Sequence, residues 1–448
     1  ETKDIDDAIS LNQTPDGFEL GVHIADVSHY VKPGTALDDE AFERATSVYY
    51  ADQVVPMLPK QLSNGICSLN EGELRLAFSC LMHLDKEGKL INYKFVKSVI
   101  RSRVKGVYSE INALLAGTAD TETQYKYAEV AGQLPAMKAL YTLRAGLRRE
   151  RGCMDIESGE VKLILDDNGH CIDVKKRVQG ESEAMIEEFM LLANQCAAHF
   201  ARTKQIPFVY RVHEEPNSEK LERLHALLKA CGINDHFAKE VPEPKELSAI
   251  LEGVRGTPYE KIIHTGLLRC MSKAEYQPVP KGHYGLVLKD YAHFTSPIRR
   301  YPDLAIHRIL TALLGGMDKE TIIASYTDFA EKVSKQSSAQ EVVAMQIERK
   351  AEDCYKAEYA RAHIGEHRAG TISGVTQRGV FVELDNGVEG FVPVASLTPT
   401  GALLTEGVRL SDPVSGKQWS LGDSMMITIV RADVNLGKID FEAAASNA

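Results

Sequence analysis

The sequence predicts an α+β protein that ends in a small β-barrel, and three observations predict it. Apolar segments with strand patterning fill most of the first hundred residues. Helical spacing dominates from about residue 123. Past residue 366 short strands return, separated by glycine turns. A strand-rich start, then mixed helices and strands, is the pattern of an α+β chain rather than of alternating βαβ units.

The elements follow in order. Phe18-Glu19-Leu20-Gly21-Val22-His23-Ile24-Ala25 reads as a strand after the turn signal Pro15-Asp16-Gly17. Residues 37–47 carry a short helical pattern. Residues 75–104 alternate as a hairpin that turns at Lys86-Glu87-Gly88-Lys89. One helix is expected over 125–151. Another covers 182–202, where Met185, Phe189, Leu192 and Ala193 share a face. Residues 206–212 read as a strand, and 217–231, 245–255, 298–314 and 319–365 as helices. Residues 371–375, 380–384, 389–394 and 424–432 supply barrel strands.

Composition excludes several classes. Of 448 residues 44% are apolar and 26% charged, so the chain is neither fibrous nor mostly disordered. No stretch approaches the roughly 18 uninterrupted apolar residues of a membrane span. The net charge of -11 argues against nonspecific coating of nucleic acid, but an enzyme that confines its cations to a groove fits it. Eight scattered cysteines without a Cys-x-x-Cys pair point to a reducing cytoplasm and away from zinc or disulfide frameworks. The chain opens on Glu1 rather than Met, so it reads as a processed form or a piece of something longer.

Two motifs stand out. Asp4-Ile5-Asp6-Asp7 clusters three carboxylates, and in an extended segment Asp4 and Asp6 share a face. Such repulsion is relieved by a hard cation, and Mg²⁺ prefers oxygen donors. Asp26 is a further candidate ligand; a solvated acidic turn is the bland alternative. The second motif runs from Tyr291 through Thr295-Ser296-Pro297-Ile298-Arg299-Arg300-Tyr301 to Asp303. Pro297 suits a first helical turn, and Arg299 and Arg300 could add bidentate phosphate contacts, with a surface Arg pair on an ordinary helix as the alternative that composition alone favours. In the barrel, Arg378, Phe381 and Phe391 offer a stacking surface for single strands, with core packing of both rings as the alternative. His23, His29 and His213 have no metal-ligand spacing and read as hydrogen-bonding residues.

Taken in order, these motifs resemble the RNase II/RNase R (RNB) family of 3′→5′ exoribonucleases, its RNase R branch most. Val22-His23-Ile24-Ala25-Asp26-Val27-Ser28-His29-Tyr30-Val31, Leu62-Ser63-Asn64-Gly65, Cys67-Ser68-Leu69-Asn70, Glu187-Glu188-Phe189-Met190 and Tyr210-Arg211-Val212-His213-Glu214 carry the likeness across nearly the whole chain. The C-terminal part resembles a ribosomal-protein-type RNA-binding barrel, a five-stranded OB-fold. The resemblance implies a catalytic domain over 1–365, truncated at its N-terminal edge, and a barrel over 366–448.

It further implies that Asp4, Asp6 and Asp7 hold Mg²⁺ and the attacking water, and that Tyr49 helps set the final product length. Arg299 would engage the scissile phosphate, with Glu348 nearby. Tyr108 and Glu187 would orient the terminal nucleotides, and Arg300, Arg378 and Phe381 would contact RNA. The implied activity is processive, sequence-independent hydrolysis of single-stranded RNA to nucleoside 5′-monophosphates, in a cytoplasmic, membrane-free monomer with ribosome or RNA-decay partners. A catalytically silent RNA-binding scaffold is the alternative.

Three departures mark this chain. An aspartate that the family carries six residues before the position of Asp4 lies outside the sequence. Ile156 follows Arg151-Gly152-Cys153-Met154-Asp155 where the family often has a stacking Phe. The N-terminal cold-shock barrels of the family are not in the sequence.

Overall fold

The computed structural model describes residues 3–51, 53–154, 159–234, 236–257, 259–405 and 407–444. Asp155 and Ile156 lie outside the described residues. The chain begins with a hairpin of β1 (Asp7–Thr14) and β2 (Gly17–Ala25). Two short helices follow, α1 (Val27–Tyr30) and α2 (Ala36–Arg44). A small hairpin, β3 (Val48–Tyr50) and β4 (Gln53–Val55), precedes a long one, β5 (Leu74–Asp85) and β6 (Leu90–Arg101). The first sheet has the order β1-β2-β5-β6 and is antiparallel throughout. Its alternation is visible in β2, where Phe18, Leu20, Val22 and Ile24 are buried on one face.

Helices pack on that face: α3 (Tyr108–Ala116), α5 (Leu134–Glu150) and, after the hairpin β7 (Val161–Leu165) and β8 (Cys171–Lys176), α6 (Glu181–Lys204), while the short α4 (Thr121–Lys126) buries no residue. The single helix expected over 125–151 is therefore two, with a 3₁₀ turn at Ala131–Gln133 and Pro135 at the start of the second. Proline lacks the N–H that a continuous helix needs and suits a new first turn. Met185, Phe189, Leu192 and Ala193 of α6 join the main core, as their spacing predicts.

The strand expected over 206–212 shortens to β9 (Tyr210–Val212), which pairs with β10 (Glu275–Gln277). Between them α7 (Ser218–Ala230), α8 (Pro244–Val254) and α9 (Glu260–Cys270) form a separate small core. Then come α10 (Tyr301–Leu314) and α11 (Lys319–Ala362). Pro302, not Pro297, occupies the first turn of α10. No described helix is long and apolar enough to cross a membrane.

The C-terminal part is a closed barrel in the order β11-β12-β13-β18-β17. Its strands are β11 (His367–Thr376), β12 (Gly379–Leu384), β13 (Glu389–Pro393), β17 (Ser424–Asp433) and β18 (Lys438–Ala443). Between β13 and β17 lie α12 (Val394–Leu397) and a three-stranded sheet of β14 (Leu403–Thr405), β15 (Arg409–Ser411) and β16 (Gln418–Ser420). The barrel does not close its core alone. Cys171 and Val174 of β8 and Ala357, Tyr359 and Ala360 of α11 are buried in the same cluster as Ile372, Val382 and Phe441.

Two expectations follow. Val174→Asp places an unpaired carboxylate in the shared core and costs several kcal/mol. Trp419, the chain's sole tryptophan, packs against that cluster and reports the loss as a lowered melting transition in fluorescence; an unchanged transition would separate hairpin from barrel. The second concerns pH. His307 is fully buried, and burial lowers its pKa to about 4, while its Nε2 bonds the Phe294 carbonyl at 2.8 Å. The unfolded chain takes up this proton below about pH 6.5, where the folded ring refuses it. Stability therefore falls as pH drops from 6.5 towards 4, by about 3 kcal/mol. Urea midpoints at pH 7 and pH 5 should lie closer together in His307→Gln than in the unaltered chain.

Candidate active site

The acidic segment is held extended before β1. Ser68 accepts from the Ile5 N–H at 3.0 Å and donates to the Lys3 carbonyl at 2.9 Å, and the Leu69 N–H bonds the Ile5 carbonyl. This fixes the direction of the Asp6 side chain, which is only 5% exposed. Its Oδ1 accepts from the Ile298 N–H at 2.8 Å, and its Oδ2 lies 3.7 Å from Arg299 Nε. Burial pushes the Asp6 pKa well above the ordinary carboxylate range, against the pull of Arg299. Asp7 is raised for the same reason, with Arg299 again opposing. One guanidinium thus faces two desolvated carboxylates.

Asp4 differs: it accepts from the Tyr49 hydroxyl at 3.3 Å. The Tyr49 N–H is in turn bound by Glu348 Oε1 of α11 at 2.9 Å. Burial raises the Tyr49 pKa, and the neighbouring Asp4 adds to the rise, so the phenol stays protonated and donating. Glu348 therefore acts through the backbone of β3.

Arg299 and Arg300, adjacent in sequence, part in space. Arg299 is 41% exposed at the cavity and anchored by Nη2 on Ser296 Oγ at 3.0 Å. Arg300 folds back instead. Its Nε and Nη2 grip the fully buried Asp303 at 3.0 and 2.8 Å, and Asp303 also accepts from the Ser296 N–H. Arg300, expected to contact RNA, has its Nε and Nη2 on a buried carboxylate three residues away. Asp26 is likewise no free ligand, since Lys97 Nζ and Ser28 Oγ occupy its Oδ1 at 2.8 and 2.7 Å.

A cavity of about 1550 Å³ opens over Asp4, Asp6, Asp7, Tyr49, Ser296 and Arg299. That exceeds the span of single small-molecule pockets and suits the end of a polymer. Tyr108, at the head of α3, lines it half exposed. Glu187 is not among the lining residues and instead accepts from Gln179 Nε2 at 2.7 Å beside Arg148. Arg378 and Phe381 are not among the cavity's lining residues; Phe381 lies on β12 and Arg378 just before it. There Phe381 and Phe391 are direct cross-strand partners with ring centroids 5.1 Å apart, both only partly buried.

Sequence reasoning missed the basic approach to the cavity, Arg101, Arg103 and Lys105, together with Lys60. The alternating cations at the end of β6 were its signal.

The donor chemistry at Asp6 and Asp7 fits Mg²⁺: oxygen only, desolvated, and carrying more negative charge than one guanidinium offsets. Among the described residues, however, no three His, Cys, Asp or Glu side chains close around one point.

A mixed α/β body with an acidic, arginine-capped cleft, fastened to a closed five-stranded barrel, defines the class of protein. Residues 1–316 match the RNB domain and residues 361–443 the S1 RNA binding domain. The chain belongs to the RNB domain family. It is 39% identical over 444 residues to Ribonuclease R 1 of Lactococcus lactis, covering 99% of this chain and 54% of that protein. It is 40% identical over 445 residues to Ribonuclease R of Thermotoga maritima, covering 98% and 62%. The fold superposes with a TM-score of 0.92 on Mycoplasma genitalium RNase R in complex with ribose-methylated single-stranded RNA, at 29% identity, covering 99% of this chain and 69% of that one. The chain thus spans little more than half the length of the curated relatives it matches.

The two arginines give a paired expectation. Arg300→Ala strands a buried carboxylate and costs about 3 kcal/mol or more of stability. Arg299→Ala costs less, because Arg299 is 41% exposed and lies 3.7 Å from Asp6. Denaturant titration of both variants checks this; equal losses would return Arg300 to the surface.

Proposed function

We propose that this chain hydrolyses single-stranded RNA from its 3′ end, processively and without regard to sequence, releasing nucleoside 5′-monophosphates. The observation that carries the reading is the desolvated Asp6–Asp7 pair beneath Arg299, at the floor of a cavity sized for several nucleotides. Family membership and the likeness to Ribonuclease R proteins support it.

The residues divide the work. Arg299, steadied by Ser296, presents its guanidinium where a phosphate gains charge. Tyr49, pinned at its N–H and its hydroxyl, holds an aromatic face at the cavity wall for a base. Tyr108, which also lines the cavity, offers a second aromatic face. Arg101, Arg103 and Lys105 track the backbone of the entering strand. The Phe381–Phe391 pair, with Arg378 beside it, offers the barrel a separate stacking platform. Asp6 and Asp7, with Asp4, would hold Mg²⁺. When bound, the ion lowers the pKa of water and offsets charge on phosphoryl oxygens. A site of this kind reads backbone, stacking and ribose rather than base edges, so DNA should be spared.

The test is a time course on 5′-labelled single-stranded RNA and the matching DNA, with Mg²⁺ and with EDTA. Direct conversion of RNA to a very short end product, only with Mg²⁺, is expected. Asp6→Asn should slow this on the order of a thousandfold while RNA affinity stays within about twofold. Affinity lost in step with activity would remove Asp6 from the chemistry, and internal cuts would overturn the exonuclease reading.

A further inference from the structure

The first sheet carries a polar ladder on the face away from its core. Ser10, His23, Ser79 and Ser98, one from each of β1, β2, β5 and β6, form a continuous chain. Ser10 Oγ lies 2.9 Å from His23 Nε2, His23 Nδ1 lies 2.7 Å from Ser79 Oγ, and Ser79 Oγ lies 2.6 Å from Ser98 Oγ. Ser98 ends the chain on the Ala77 carbonyl at 3.4 Å. Only the first two members reach the cavity, where Ser10 and His23 line the wall with Ala8. Asp7 lines the same cavity although it points to the other face of β1, so the cavity wraps this edge strand.

Gly21 makes the ladder possible. A Cβ there would stand 2.5 Å from Ser10 Oγ and 2.7 Å from His23 Nε2. The floor around the pair is thus small and flat, with Ala8 opposite His23 and Gly21 opposite Ser10.

We propose that Ser10, oriented by His23, is a ribose-hydroxyl subsite for a nucleotide near the cleaved bond. This rests on the exoribonuclease reading above. Ser10 lies three residues from Asp7, about 10 Å along the strand. The Ala77 carbonyl sets the sense of the ladder: Ser98 donates to it, Ser79 donates to Ser98, and His23 Nδ1–H donates to Ser79. In the neutral ring Nε2 then accepts from Ser10, whose free lone pairs turn to the cavity. A ribose hydroxyl donates to those lone pairs. Burial lowers the His23 pKa and so favours the neutral ring. A neutral pair offers little to a phosphate, which the basic approach already serves.

The experiment is a single-deoxy scan. Short RNAs carry one 2′-deoxynucleotide at each of the 3′-terminal positions in turn. Single-turnover rates with Mg²⁺ and affinities in EDTA are measured for the unaltered chain, Ser10→Ala, His23→Gln and Gly21→Ala. At one position the deoxy sugar should slow and weaken the unaltered chain by about threefold to tenfold. Ser10→Ala should show that loss on all-ribose RNA and no further loss at that position. Gly21→Ala, which pries the pair apart, should behave likewise, and His23→Gln should lie between. Losses that multiply at every position, or a Ser10→Ala chain equal to the unaltered one, would overturn the subsite. The affinity arm keeps the two readings apart: coupling in EDTA without any cleavage would support the contact while the exonuclease reading fails.

Discussion

The hydrogen bond from the Ile298 N–H to Asp6 is the constraint on which the site depends. It joins positions 292 residues apart and places a buried anion against the loop that carries Arg299. The loop is itself fixed from three sides. Ser47 N–H bonds the Arg299 carbonyl, Tyr301 N–H bonds the Ala45 carbonyl, and Asp303 takes both the Ser296 N–H and the Arg300 fork. A buried carboxylate without such partners would neutralise itself rather than stay charged. Here the partners hold the geometry and pull the Asp6 pKa down, but burial outweighs them and keeps it well above the ordinary carboxylate range.

The same economy explains the barrel. A five-stranded barrel is small, and small cores stabilise poorly alone. This one borrows β8 and the end of α11 for its interior. A side chain at Gly387 or Gly437 would strike Val161 or the Asp353–Cys354 backbone. Lys261 and Glu383 add an ion pair between α9 and β12. The barrel is therefore fastened to the body by packing rather than hung on a linker, and a strand of nucleic acid held by both would meet a fixed path.

Much of this was legible in the sequence because alternation and helical spacing are local. The β5–β6 hairpin, α6 and the barrel strands sit where their periodicity puts them. The acidic triplet and the Thr295-to-Asp303 segment meet at Asp6. What was not legible depends on pairing. The β7–β8 hairpin is ordinary until the barrel core receives it. Glu187 turns to Gln179, just ahead of α6, and to Arg148 of α5. Arg300 is instructive, since Asp303 three residues on was in plain view, yet an i,i+3 pair becomes decisive only when burial removes water as the competitor.

Burial also sets the tension at the centre of the cleft. Two carboxylates kept out of water raise the free energy of the folded chain, and one partly exposed guanidinium offsets only part of this. The remainder favours positive charge beside Arg299. Any cation that binds the folded state and not the unfolded one both offsets it and stabilises the fold by mass action.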